Sequence, residues 1–155
     1  MFAGSVVSIH ISPKAEETMF AVSEVQAVAG KGLEGDRYFS HMGTFSKPEP
    51  DRELTLIEVE AIEALKGESG LELAQGDPRR NIVTRGVPLN HLVGQEFLIG
   101  EVRVRGLRLC EPCSHLAQLT VQGILPGLVH RGGLRAQILT PGVIHAGDLI
   151  KSATD

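Results

Sequence analysis

The chain has 155 residues, of which 42% are hydrophobic and 22% are charged. At roughly 150 residues per domain, this length corresponds to about one domain, and the hydrophobic content excludes an intrinsically disordered protein. Aromatic residues make up only 4% and the formal net charge is −4, and both values argue against a surface built to bind nucleic acid. No apolar run is long enough to span a membrane and no secretory leader is recognisable, so we expect one cytoplasmic domain over residues 1–155.

The N-terminal half has apolar residues at strand-like spacing, interrupted by turn-forming residues. Its predicted elements, in order, are strands over 4–11 and 21–29, a long loop over 30–52, a strand over 53–57, an amphipathic helix over 59–67 and a short strand over 81–84. A loop of more than 20 residues in so small a domain is usually functional or mobile.

The C-terminal half contains the clearest hairpin, with arms at 95–99 and 102–109. Gly100 stands at the first position of the turn, as a type II′ turn requires, and Gly106 interrupts the alternation of the second arm as a bulge does. A helix over 113–121 and strands over 134–139 and 143–150 follow. Six to eight short strands with two small helices predict a mainly β fold of the α+β type, a closed or nearly closed barrel.

Charge is distributed unevenly along the chain. The stretch from Arg79 to Arg135 contains eight Arg, no Lys and three Glu and carries +5, whereas the rest carries −9. An all-Arg segment in an acidic protein indicates recognition of a compact anion, because the guanidinium fork grips phosphate or carboxylate through two bonds. The alternative is a set of solvated strand faces.

Residues 30–35 match the GxGxxG pattern of dinucleotide-binding proteins. The context argues against that function, because no helical period follows on which a pyrophosphate could sit. We predict instead a tight glycine-rich path that presents Lys31, Asp36, Arg37 and His41 to a ligand, with a mobile surface loop as the alternative.

Cys110 and Cys113 form a CxxC motif, and Cys113 immediately precedes the predicted helix. The helix dipole and unpaired N–H groups at such a position favour a thiolate. The motif is open to several interpretations: a redox dithiol, half of a zinc site completed by His115 and His130, a single nucleophile or metal ligand at Cys113, or two small buried side chains.

Two further segments carry groups that bind anions. The first places Arg80, Asn81 and Thr84 around one short strand. The second combines Arg131 and Arg135 with Gly132 and Gly133, whose backbone N–H groups can approach an anion closely. Because Cys113 lies between the segments in sequence, we predict a single site in which a sulfur atom is surrounded by phosphate-binding groups.

An ordered series of short motifs resembles the MOSC domain, the family named for the C-terminal part of molybdenum cofactor sulfurase. The motifs run through nearly the whole chain and are 35–38 (GDRY), 80–86 (RNIVTRG), 92–94 (LVG) with 97–100 (FLIG), 112–116 (PCSHL), 131–133 (RGG) and 142–144 (GVI) with 147–148 (GD).

The resemblance implies a β-barrel and a function for one cysteine, which carries sulfur or ligates the molybdenum of the pterin cofactor. The family's cysteine corresponds to Cys113, which makes it the expected catalytic residue and metal ligand, with Cys110 as an extra thiol. By the same resemblance Arg80, Asn81, Arg131 and Arg135 line the pocket for the cofactor's phosphate or pterin.

The chain resembles the stand-alone bacterial members of this family. We see no Schiff-base lysine segment of the kind a pyridoxal phosphate desulfurase contains, so sulfur is expected to come from a separate desulfurase or redox partner. Two functions remain open: a molybdenum-pterin-binding oxidoreductase or sulfur-transfer protein in which Cys113 is the metal ligand or persulfide carrier, and a non-catalytic anion-binding module whose thiol is incidental.

Overall fold

The computed structural model describes residues 2–13, 18–36, 39, 53–70, 74–110 and 131–153. The elements of this part, in chain order, are β1 (Ala3–Ile11), β2 (Phe20–Val22), β3 (Glu24–Val28), β4 (Gly32–Leu33), β5 (Leu54–Glu58), α1 (Val59–Ser69), β6 (Ile82–Arg85), a 3-10 turn (Leu89–Leu92), β7 (Glu96–Ile99), β8 (Val102–Leu109), β9 (Leu134–Ile138), β10 (Gly142–His145) and β11 (Leu149–Ser152).

Seven of the described strands close into a barrel. The order around it is β1, β11, β7, β8, β9, β5 and β6, and β6 returns to β1. All neighbours are antiparallel except β5 and β6, which are joined through α1. Closure leaves these strands without a free edge on which other chains could pair. The predicted mainly β barrel is therefore confirmed.

Alternating side chains fill the barrel interior. In β9, Leu134, Ala136 and Ile138 belong to the interior cluster, so the intervening Arg135 lies on the outer face. The same alternation directs Val102 and Val104 of β8 inward. These inward positions form one continuous apolar core. Polar side chains that could bind a ligand are therefore expected on the outer face and at the ends of the barrel.

The outer face of β5 and β6 is covered by α1. Ile57 and Val83 project from the two strands and pack with Val59, Ile62 and Leu65 of the helix. A parallel strand pair covered on both faces requires apolar residues at successive positions, and this explains why β5 is buried without interruption from Leu54 to Ile57. α1 ends at Ser69 and is capped by Gly70, which has a φ of 71° and a backbone N–H that bonds to carbonyls of the last turn.

The predicted hairpin and its bulge are confirmed. β7 and β8 pair around a turn in which Gly100 has a φ of 58°, a positive value that suits the first position of a type II′ turn. The pairing of β8 with β9 shifts register between Gly106 and Arg108, where the sequence predicts the bulge.

Two predicted strands and the strand count are corrected. Residues 21–29 divide at Ser23 into β2 of the barrel sheet and β3, and residues 143–150 divide at Gly147 into β10 and β11. β10 and β3 pair with each other in a separate three-stranded sheet with β4, so the described part holds eleven strands instead of six to eight. Each division arises because the two halves find different partners, which short-range periodicity does not encode.

The long predicted loop over 30–52 contains the short strand β4, and its residues 37, 38 and 40–52 lie outside the described residues. The predicted helix over 113–121 also lies outside them, as do His115 and His130 of the zinc hypothesis. In the described part of the chain no helix has the length and apolar character needed to cross a membrane.

Candidate functional site

The two predicted anion-binding segments meet at one end of the barrel. β5 lies between β6 and β9, and Thr55 of β5 is opposite Arg135 of β9 while also bonding to Asn81, which precedes β6. On the far side of Asn81 is β1, where the His10 backbone N–H donates to the Asn81 carbonyl at 2.7 Å and the His10 carbonyl accepts from the Asn81 side-chain amide at 3.1 Å. The strand order of the barrel therefore brings together residues that are about 50 positions apart in the sequence.

Arg80 is the central residue of this junction. Its side chain is buried, with 8% of the residue exposed. Nε donates to the carbonyl oxygen of Gly132 at 2.8 Å, Nη2 to that of Cys110 at 3.1 Å and Nη1 to that of Pro78 at 3.1 Å. Arg80 thus connects Cys110 with Gly132. In the sequence, the segment 111–130, which contains Cys113, lies between these two residues.

The guanidinium of Arg80 is a buried cation surrounded by neutral acceptors. Its three hydrogen-bond partners are backbone carbonyls, and no carboxylate of the described residues pairs with it. Three of its five N–H groups are used in this way, one on each nitrogen. A buried charge without an opposite charge is unfavourable, and an anionic ligand nearby would stabilise it.

Asn81 has a structural role next to Arg80. The amide oxygen accepts from the backbone N–H of Thr55 at 3.1 Å and from its hydroxyl at 3.1 Å, and Nδ2 donates to the carbonyl of His10 at 3.1 Å. The residue is only 1% exposed. Its amide therefore fastens β1 to β5, a function different from the predicted contact with a cofactor, which stays a prediction.

Thr84 is also fully buried, and its hydroxyl bonds to the carbonyl of Ile57 at 3.4 Å between the two parallel strands. It lies about 10 Å along the strand from Asn81, at roughly 3.3 Å per residue. The structure thus places Thr84 in the barrel wall between β5 and β6, apart from the junction formed by Arg80.

Gly132 and Gly133 form the second half of the junction. The Gly132 carbonyl accepts from Arg80, and the Gly133 carbonyl accepts from the backbone N–H of Cys110 at 2.7 Å. Gly133 has a φ of 116°, and a Cβ there would collide with the carbonyl oxygen of Leu56. Glycine is required at this position because two backbones approach each other, whereas the sequence suggested a glycine that admits a ligand.

Arg131 and Arg135 have different neighbours. Arg131 is held by Glu68 of α1, with Nη1 to Oε2 at 3.0 Å and Nη2 to Oε1 at 2.6 Å. Arg135 lies on the outer face of β9, directly across the strand pair from Arg108. Hydrogen bonding and the charge of Arg131 lower the pKa of Glu68.

The loop that leads to Arg80 is fixed by a small polar cluster. Ser8 Oγ donates its single proton to Gln75 Oε1 at 2.6 Å. Because that proton is used, the same hydroxyl oxygen accepts a hydrogen bond from His10 Nε2 at 2.8 Å. A Cβ on Gly76 would lie 3.0 Å from Nδ1 of the same ring, so the loop passes directly over the imidazole. Burial lowers the pKa of His10.

The backbone is strained just before Arg80. Arg79 has a φ of 61°, the single positive value among the described residues other than glycine, and it is buried to 8% exposure. Such a conformation costs about 1–3 kcal/mol and is maintained by surrounding structure, often near functional sites. Neither this strain nor the role of Gln75 produces a recognisable signal in the sequence.

The predicted glycine-rich loop contributes in part. Asp36 is fully buried, and its Oδ1 accepts from the backbone N–H of Ser12 at 3.0 Å, which attaches the loop to the end of β1. Ser12 follows His10 by two residues, so this attachment lies about 7 Å along the chain from the Asn81 contact. Lys31 is exposed, and its Nζ lies 5.7 Å from the ring centre of Phe39. Arg37 and His41 lie outside the described residues.

Glu53 is a buried carboxylate that the sequence analysis did not single out. It is 4% exposed, and Oε1 accepts from the backbone N–H of Ile138 at 3.0 Å and of Gly30 at 3.3 Å. Burial raises the pKa of Glu53, and the two N–H groups oppose that shift. Glu53 therefore ties the glycine-rich loop to β9. In the sequence, the one feature that could have indicated a buried Glu53 is its position directly before the apolar strand.

Of the two cysteines, Cys110 is in the described part and is a buried free thiol, 3% exposed. Cys113, the predicted catalytic residue and metal ligand, lies outside the described residues. Within those residues, no group of three or more His, Cys, Asp or Glu side chains is arranged to hold a metal ion. The zinc and dithiol interpretations remain predictions, since each needs residues from 111–130.

Comparison with known proteins identifies the family. The family model of the MOSC domain matches residues 39–151. The chain belongs to the MOSC domain family. This family is associated with the molybdenum cofactor. A search of curated proteins found no significant sequence match.

Solved structures of similar MOSC-fold proteins support the same architecture. The YuaD protein from Bacillus subtilis superposes with a TM-score of 0.78 at 14% identity, with 97% of each chain covered. YiiM from Geobacillus stearothermophilus gives 0.73 at 18% identity, covering 97% of this chain and 75% of that one. YiiM from Escherichia coli gives 0.68 at 20%, covering 100% and 71%. At these identities the similarity shows the fold alone.

Proposed function

We propose that this MOSC domain binds a molybdenum-pterin cofactor through its phosphate and uses Cys113 as a metal ligand or as a persulfide carrier. The observation that carries the proposal is the buried Arg80 cation, which has only neutral partners among the described residues and lies between the two ends of the segment that contains Cys113. A phosphate close to this junction would supply the missing negative charge.

The residues around the junction fit such a ligand. Arg80 Nε donates to the carbonyl of Gly132, the residue after Arg131, and Arg135 is opposite Arg108 in the strand pair. These guanidinium groups would hold the phosphate. The strained, anchored loop before Arg80 would keep the Arg80 guanidinium in place. When bound, the molybdenum centre supplies redox chemistry and sulfur ligation, for which a soft thiolate is a suitable ligand.

In the sulfur-carrier form of the proposal, a donor protein provides the sulfur. The Cys113 thiolate attacks the sulfane sulfur of a cysteine persulfide on a separate desulfurase, the S–S bond of the donor breaks, and the donor cysteine leaves as a thiolate. Cys113 then holds the sulfur as a persulfide, and the proton stays on the terminal sulfur. This step needs no external oxidant, because sulfane sulfur passes from one thiol to another.

The test is expression in a host that makes the cofactor, followed by fluorescence of the oxidised pterin, molybdenum quantification and assay of cyanide-labile sulfur. Arg131→Ala is expected to weaken pterin retention by roughly ten- to hundred-fold, the scale of a charged hydrogen bond. Cys113→Ser is expected to retain pterin but to lose molybdenum or labile sulfur.

Absence of pterin, molybdenum and labile sulfur from the wild type, even after treatment with a desulfurase and cysteine, would refute the proposal. If the protein then still bound inorganic phosphate, the function would be that of a non-catalytic anion-binding module.

A further inference from the structure

One histidine of β1 holds the loop 74–79 in place. Nε2 of His10 donates to Ser8 Oγ at 2.8 Å, and that hydroxyl donates to Gln75 Oε1 at 2.6 Å. Nδ1 of the same ring lies against Gly76, where an added Cβ would be 3.0 Å away. One ring nitrogen therefore anchors the loop through Ser8, and the other lies directly under the loop backbone.

His10 itself cannot follow a movement of this loop. Its backbone N–H donates to the carbonyl of Asn81 at 2.7 Å, and its carbonyl accepts from Asn81 Nδ2 at 3.1 Å. On the other edge of β1, His10 is paired with Ala21 of β2. If the contact between the imidazole and the loop is lost, the loop is therefore the part that moves.

The loop is also connected to the junction formed by Arg80. The Gly76 carbonyl accepts from the backbone N–H of Arg79 at 3.1 Å, and the Pro78 carbonyl accepts from Arg80 Nη1 at 3.1 Å. Nη2 of Arg80 then reaches the carbonyl of Cys110. Arg79 has a φ of 61°, a conformation that surrounding contacts must maintain. A displacement of Gly76 thus disturbs a series of hydrogen bonds that ends at Cys110.

We infer that the cluster of His10, Ser8 and Gln75 is a pH-sensitive latch, which keeps the loop closed on the Arg80 junction while the imidazole is neutral and releases it when the imidazole is protonated. The closed state buries His10 to 7% exposure, and burial opposes a charge on the ring. Opening of the loop returns the ring to water. The inference does not depend on which ligand the junction binds.

The pKa of His10 sets the pH range of the latch. Burial lowers this pKa below its ordinary value of 6.5 in the closed state. The charged side chains on the surrounding described elements do not contribute to the shift: Asp77 and Arg79 of the loop, Arg80 after it, Arg85 of β6, and Asp36 beside Ser12. Because the open form binds the proton first, opening becomes easier below pH 6.5, by up to about ten-fold per pH unit until the lowered pKa is reached.

The experiment is amide hydrogen exchange, followed by NMR on the full-length protein between pH 5 and 7.5, with each rate divided by the rate of an unstructured peptide at the same pH. From pH 7.5 to 5.5 the protection of the Arg79 and Cys110 amides is expected to fall about three- to ten-fold in wild type. In His10→Gln, which keeps a donor for Ser8 but does not titrate, the protection should stay constant. The matched control is His145→Gln, which removes an imidazole that is 53% exposed and should behave like wild type.

Each outcome decides the inference. Constant protection in wild type, or the same pH dependence in His10→Gln as in wild type, overturns it. A fall at Arg79 without a fall at Cys110 overturns the connection to the junction. Equal protection of the Arg79 amide and the Val104 amide of β8 at every pH also overturns it, because the loop then opens only together with the barrel. If His10→Gln does not fold, Gln75→Ala replaces it: removal of the anchor should lower the protection of Arg79 at every pH, and an unchanged value overturns the latch.

Discussion

Replacing Arg80 by Met removes the hydrogen bonds that close the junction while keeping a side chain of similar length. The carbonyl oxygens of Pro78, Cys110 and Gly132 each lose a charged donor within 3.1 Å. A buried acceptor left without a partner costs about 1–3 kcal/mol, so three give roughly 3–9 kcal/mol.

Part of that cost is offset, because the variant no longer buries a guanidinium charge, and desolvation of such an ion costs several kcal/mol. We expect a net loss of about 3 kcal/mol in the free energy of unfolding. For a domain of this size that corresponds to a decrease in Tm of roughly 6–12 °C. Arg80→Lys, which retains the charge but only one donor atom, is expected to fall between wild type and Met.

The assay is thermal and urea unfolding at pH 7, followed by circular dichroism. The control is Arg85→Met, whose side chain is 54% exposed and pairs with Glu63, so that a change within about 0.5 kcal/mol is expected. If Arg80→Met loses less than about 1 kcal/mol, or no more than the control, the reasoning that Arg80 holds the junction together is refuted.

Four further outcomes are expected. Alkylation followed by mass spectrometry should modify Cys113 before the buried Cys110, and Cys113→Ser alone should remove the fast phase; equal losses in both serine variants would indicate a dithiol instead. Because the pKa of His10 is lowered below 6.5 in the folded state, the unfolded chain takes up the proton first and stability falls as the pH decreases from 6.5. His10→Gln should flatten that slope in urea unfolding between pH 5 and 7.5, and an unchanged slope would contradict the assignment. Because the pKa of Glu53 is raised above 4.5, the folded state binds the proton first, and stability falls as the pH rises from 4.5 through the raised pKa. Glu53→Gln should remove this pH dependence of the free energy of unfolding in the same assay. A slope that is retained in the variant would contradict the assignment to Glu53. Gly133→Ala should lose more than about 3 kcal/mol or fail to fold, since both its φ and the nearby Leu56 carbonyl exclude a Cβ, and near-wild-type thermal stability would disprove that constraint.

Elements whose partners are close in sequence were predictable. The β7–β8 hairpin, the position of the bulge in β8 and the helix α1 follow from alternation, glycine positions and a 3.6-residue period, all of which act within about ten residues. The family motifs were also recognisable from the sequence, and the family model over 39–151 confirms them.

The division of residues 21–29 and 143–150 was decided by tertiary structure. In both stretches the apolar pattern continues, but β3 and β10 pair with each other whereas β2 and β11 join the barrel. The pairing of β3 with β10 joins chain segments more than 100 residues apart. A local pattern does not record that choice.

For the candidate site, the sequence by itself determined which residue types are available: eight Arg without Lys between positions 79 and 135, two glycines beside Arg131, and a CxxC motif. Only the tertiary structure decided their roles. The guanidinium of Arg80 turns toward three backbone carbonyls, the amide of Asn81 joins β1 to β5, and Arg131 meets Glu68. The physical reason is that every buried polar group must find a partner, and barrel closure determines which partners are within hydrogen-bond distance.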